Sequence, residues 1–83
     1  MRSPSAFESG RRMAQIFADS IQGCDVVEVF LEDIAAHLRV WPAQIVAIVG
    51  RRKGRRELEL MAMNSGIRIR VTYKPGVIMV FTR

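Results

Sequence analysis

Ile67, Ile69, Val71 and Tyr73 alternate with Arg68, Arg70, Thr72 and Lys74, and no other stretch of the chain restricts its fold as tightly. Alternation sends successive side chains to opposite faces of a strand, so this segment is predicted to be half-buried, with a basic outer face. Lys74-Pro75-Gly76 follows, with proline and glycine where a tight reversal wants them. Val77-Ile78-Met79-Val80-Phe81 is short, apolar and rich in β-formers, and reads as the returning strand. Residues 67–83 are therefore expected to form a β-hairpin.

The first part of the chain has a different period. Ser3 is placed as an N-cap with Pro4 at the first helical position, and Met13, Ile16, Phe17 and Ile21 recur at helical spacing. Gly10 weakens this helix and Gly23 ends it, giving an N-terminal helix within residues 1–23. Val26-Val27-Glu28-Val29-Phe30 reads as a short strand. Leu31–Leu38 has acids in its first turn and Ile34 and Leu38 four apart, which marks a short amphipathic helix. Arg39-Val40-Trp41 connects it to a second helix opened by Pro42 and running to Val49. Arg55 to Met63 holds strong helix formers, and Asn64-Ser65-Gly66 resembles a helix stop. Because Leu58, Leu60 and Ala62 alternate, a strand is the alternative there. The predicted class is α+β: N-terminal helix, short strand, paired helices over residues 31–53, a further helix and a C-terminal hairpin.

Eighty-three residues suffice for a single domain spanning 1–83, with no second core. An apolar share of 49% is more than disorder allows. Phe7, Phe17, Phe30, Trp41, Tyr73 and Phe81, with five Met, are expected to supply core volume. So small a domain buries a modest fraction of its surface, and a homodimer that buries more is a fair expectation. Cys24 is the one cysteine, which excludes an internal disulfide and a multi-cysteine metal site and suits a reducing compartment. No apolar stretch approaches the roughly 20 residues that span a bilayer. Nor does the N-terminus show a signal-peptide progression, so a cytoplasmic location with no membrane partner is expected.

Charge is polarised along the chain. Residues 1–38 hold three Arg against six acids, whereas residues 39–83 hold ten basic residues against Glu57 and Glu59. Gly50-Arg51-Arg52-Lys53-Gly54-Arg55-Arg56 puts five cations into seven residues. Such packing is repulsive unless a polyanion shares the cost, and nucleic acid is the commonest partner for it. A solvated loop and an acidic protein partner are the competing readings. Arg51, Arg52, Lys53, Arg55 and Arg56 are the primary candidates for phosphate contact, with Arg68, Arg70 and Lys74 extending the surface. Arg39 and Gln44 are the remaining candidates, and Gln44 is the one side chain on its helix suited to base edges. Catalytic groups are scarce. His37 is the only histidine, Glu32 and Asp33 are adjacent and point apart, and no Gly-Lys-Ser/Thr follows a strand. Neither enzyme activity nor a metal or cofactor is expected.

Residues 31–49 resemble a helix-turn-helix. Ile34-Ala35-Ala36-His37-Leu38 matches its first helix, Arg39-Val40-Trp41 its turn, and Pro42-Ala43-Gln44-Ile45 with Ile48 its second helix. The element order is also similar to a winged helix, with Lys74-Pro75-Gly76 as a very small wing. That resemblance implies a DNA-binding, regulator-like protein. Residues 38–83 resemble a KH domain as well: Pro42, Ile45, Ile48, Val49 and Gly50 match its Pro-led helix, and Leu58, Met61, Ser65-Gly66, Ile67 and Ile69 its second half. Its Gly-x-x-Gly loop is here Gly-x-x-x-Gly. This second resemblance implies binding of RNA or single strands. Duplex DNA is favoured, RNA is the alternative, and a non-enzymatic oligomeric interaction module is the reading from another class.

Overall fold

The computed structural model describes residues 6–82. Ser3, Pro4 and the side chain of Phe7 lie outside that description. Four helices and three strands follow in the order α1 (Ala6–Ser20), β1 (Val26–Phe30), α2 (Leu31–Leu38), α3 (Pro42–Val49), α4 (Arg52–Asn64), β2 (Ile69–Lys74) and β3 (Val77–Thr82). The class is α+β, and the hairpin, the short strand, the helix pair and the further helix all form as the periodicity predicts. What periodicity does not reveal is the sheet. β3 is central, antiparallel to both β1 and β2, so the order is β1-β3-β2.

The inner face of the sheet carries Val27, Val29, Ile69, Val71, Tyr73, Ile78 and Val80 toward the helices. Against it pack Met13 and Phe17 of α1, Ile34 and Leu38 of α2, Ile45 and Val49 of α3, and Leu58 and Ala62 of α4. Burying such side chains contributes about 1.5–3 kcal/mol each, which is what offsets ordering the backbone. Ala35 is buried between the paired helices, where its small side chain permits close approach. At the hairpin, Gly76 takes φ 86°, a conformation that only glycine adopts cheaply. The Gly76 carbonyl then accepts the Leu31 N–H at 3.0 Å, which ties the start of α2 to the hairpin turn.

Local rules explain the turn between α2 and α3. Arg39 sits in the left-handed region at φ 57°, ψ 46°. Its N–H donates to the Ala36 carbonyl at 3.2 Å, and the Val40 N–H donates to the Ala35 carbonyl at 3.0 Å. These two bonds form a Schellman stop, in the position a glycine usually takes. Pro42 starts α3 with a fixed φ, and the Gln44 side chain accepts the Trp41 N–H at 2.9 Å.

Two expectations are corrected, the first about burial. Trp41 is 76% exposed and Phe30 58% exposed, so neither supplies core volume. Trp41 is the residue before α3 and its side chain is open to solvent, and Phe30 lies on the sheet face that no helix covers. Within the apolar run Ile45–Val49, Val46 and Ala47 are exposed, so α3 is buried on one side only. The second concerns the basic cluster. It is not a loop: α4 begins at Arg52, so the connector is only Gly50 and Arg51.

Candidate nucleic-acid interface

The end of α3 and the start of α4 are locked together by two contacts. A Cβ built on Gly54 would overlap the backbone carbonyl of Ile48, so glycine is what lets α4 rest directly on the last turn of α3. One turn of side chain further, Arg55 Nη1 donates to the Val49 carbonyl at 2.9 Å. That bond satisfies one of the carbonyls a helix terminus leaves open, and a cation there also suits the α3 dipole. Arg55 is thus part-buried, with one of its N–H donors committed to the end of α3, which sets it apart from the four exposed cations. Gly54 likewise serves helix packing, so the two glycines do not shape an open loop.

With Arg55 withdrawn, Arg51, Arg52, Lys53 and Arg56 remain exposed at the N-terminal end of α4. Arg52 and Arg56 are four residues apart and so stack on one side of the helix. No acid stands in the first turn of α4 and no side chain caps it. Among the described residues, none of these four cations has a carboxylate within ion-pair distance. The open N–H groups of the first turn point the same way as the cations. Their partial positive charge and the four side chains together favour an anion at this point.

A third contact sets the direction in which this charge continues. Glu59 accepts the Val71 N–H at 3.1 Å, which holds α4 against the outer edge of β2. Only four residues separate α4 from β2, so the strand runs back along the helix. Arg52 is about 10 Å from Glu59 along the helix, and Lys74 is about 10 Å from Val71 along the strand. Lys74 is thus at the end of β2 away from the α4–β2 connector, on the sheet face opposite the helices. Arg68 and Arg70 lie toward the other end, where an open cleft of about 410 Å³ is lined by Glu59, Met63, Arg68, Ile69, Arg70 and Phe81. The guanidinium of Arg70 lies 4.9 Å from the centre of the Phe81 ring. Arg68, Arg70 and Lys74 are all exposed, as the alternation predicts.

The two candidates near α3 are not brought into this surface. Gln44 is half-buried and committed to the Trp41 N–H, so it offers no free amide to a base edge. Arg39 is exposed, but it lies at the start of α3, some 12 Å along that helix from the cluster. Sequence reasoning missed Glu59, whose task depends on a strand twelve residues away. It also missed the true start of α4, although Gly54 four residues after Gly50 was a usable packing signal. His37 and Cys24 are exposed, and among the described residues no group of His, Cys, Asp and Glu is arranged to hold a metal ion. No helix among them is long and apolar enough to cross a membrane. Comparison of the chain with protein-family models, with curated proteins and with solved structures returns no match.

Proposed function

We propose that this protein is a non-enzymatic, cytoplasmic nucleic-acid-binding domain that holds duplex DNA by its phosphates at the N-terminal end of α4, in the manner of a small regulator. One observation carries the reading: four exposed cations gather at a helix end whose dipole repels them, with no acid paired to any of them. A phosphate placed there reverses each unfavourable term at once. Two features favour a reading helix one element along from the expected place. α3 has an apolar exposed side and its one amide is occupied, whereas α4 follows α3 after a two-residue connector and presents Arg52, Lys53 and Arg56 near its start. Side chains near the start of the second helix are the ones a helix-turn-helix sends to DNA. The hairpin that follows α4, with Lys74 beside the Pro75-Gly76 turn, supplies the flanking backbone contact in a winged-helix manner.

A salt titration tests this. Four phosphate contacts should give log K a slope of roughly −3 to −4 against log salt on duplex DNA. Single-stranded RNA titrated in parallel decides between the two resemblances. Tighter binding to the RNA would replace the duplex reading by the KH-like one. Undetectable binding to either at about 50 mM salt, or binding insensitive to salt, would remove the nucleic-acid reading altogether.

A further inference from the structure

The helices cover one face of the sheet, and among the described residues no element lies on the other. Val26, Glu28 and Phe30 of β1, Val77, Met79 and Phe81 of β3, and Arg70, Thr72 and Lys74 of β2 share that outer face. Cross-strand pairing sets them in three rows: Val26-Phe81-Arg70, Glu28-Met79-Thr72 and Phe30-Val77-Lys74. The central strand is apolar on both of its faces. Continuous apolar runs belong to strands covered from both sides, whereas a strand open to water alternates. Phe30 and Val26, exposed by 58% and 50%, widen the apolar centre toward β1.

We propose that this outer face is a homodimer interface in which two copies pack sheet on sheet about a two-fold axis parallel to the strands. Charge selects both the occupant and the axis. An axis along the strands lays β2 of one copy over β1 of the other while preserving the rows. Glu28 then faces Thr72 of the second copy, with Arg70 and Lys74 one row away on either side, about 7 Å along the strand and within reach of long side chains. Phe30 meets Lys74, and Val77, Met79 and Phe81 meet their own counterparts. An axis across the strands would instead set Glu28 on Glu28 and Arg70 on Lys74, which is repulsive in both places. The four cations at the start of α4 are not on this face, so the dimer does not rest on the proposed phosphate site; Lys74 alone is shared, and in the dimer it is withdrawn from the hairpin's flanking contact.

Sedimentation velocity on nuclease-treated protein in about 150 mM salt is the test, with circular dichroism as the folding control. The parent chain is expected to be a dimer at about 50 µM, and Met79→Glu a monomer with an unchanged spectrum. Glu28→Lys alone, and Arg70→Glu with Lys74→Glu, should each raise the dimer Kd about tenfold or more, while all three substitutions together restore it. That charge series answers the question even where Met79→Glu fails to fold. A monomeric parent, a dimer indifferent to Met79→Glu, or a triple variant no better than its parts would overturn the proposal. So would a monomeric parent whose Met79→Glu variant loses nucleic-acid binding, which would assign the face to that ligand.

Discussion

Two helices of this protein are built on opposite electrostatic plans. α2 begins with Glu32 and Asp33, has His37 in its last turn and closes on a Schellman stop at Arg39. Its charges agree with the helix dipole, and its last carbonyls are satisfied from within the next two residues. α4 begins with Arg52 and Lys53, has no acid in its first turn, no side-chain cap, and no base in its last turn. Each misplaced exposed charge near a helix end is worth about 0.3–1 kcal/mol, and repulsion within the cluster adds to that. α2 is stabilised by its own sequence. α4 closes on the same kind of stop, with the Gly66 N–H donating to the Met63 carbonyl and the Ile67 N–H to the Ala62 carbonyl, both at 2.9 Å, but its N-terminal half is held from outside, by the backbone of α3 under Gly54, by Arg55 on the Val49 carbonyl and by its Glu59 on the Val71 N–H. On the proposed reading, these contacts keep a helix with reversed charge for the sake of an anion.

The comparison is broken most sharply at Gly54. Gly54→Ala drives a methyl into the Ile48 carbonyl and forces α4 off α3, because backbone cannot step aside as a flexible side chain can. A loss of about 3 kcal/mol is expected in denaturant unfolding. The matched change in the self-sufficient helix, Ala36→Gly at an exposed position of α2, should cost only about 1 kcal/mol. Equal losses would mean that α4 does not depend on α3 as described.

Removing Arg51 and Arg52 together sharpens it next. Two lost phosphate contacts should reduce the salt slope by about 2 and weaken binding at about 0.1 M salt by roughly 60-fold, whatever the DNA sequence. The same variant should be at least as stable as the parent, because it sheds cations from the wrong end of a helix. Arg55→Met should do the reverse: a stability loss of about 1–2 kcal/mol from an unsatisfied Val49 carbonyl, with the salt slope nearly unchanged. Identical behaviour of Arg52 and Arg55 would put them back into one undivided cluster.

Much of the fold could be read from the sequence because it rests on local rules. The hairpin declares itself by alternation and the Pro75-Gly76 turn, and the α2–α3 pair by Pro42 and its apolar stripe. α4 was legible as a helix beyond Arg55, but its first turn was not. Arg52–Gly54 reads as a loop by composition, since cations and glycine oppose a helix start, and only contact with α3 makes it helical. Long-range pairings were similarly silent: nothing in Val26–Phe30 says that it joins β3, or that Phe30 would face outward. The site was legible as a cluster but not as a division of labour. Arg55 and Gln44 look like their neighbours in sequence, and they differ only because a carbonyl and an N–H lie within reach.

The smallest effect is the most discriminating, because stability and binding should move in opposite directions. Arg52→Glu places a carboxylate in the first turn of α4, where the dipole favours it, and four residues before Arg56, where it gains an i,i+4 partner. A stability gain of about 0.5–1 kcal/mol is expected at low salt, shrinking as salt screens the exposed charges. Phosphate binding should fall further than in Arg52→Ala, since an attraction becomes a repulsion at the same point. Glu32→Lys in α2 is the mirror experiment. It should cost about 0.3–1 kcal/mol at low salt and leave DNA affinity nearly as it was, because α2 takes no part in the proposed contact. Thermal unfolding of both variants at low and high salt, beside one DNA titration each, reads all four quantities. If Arg52→Glu destabilises α4, the reversed charge is not a cost carried by the fold, and the physical basis for placing a phosphate there is gone.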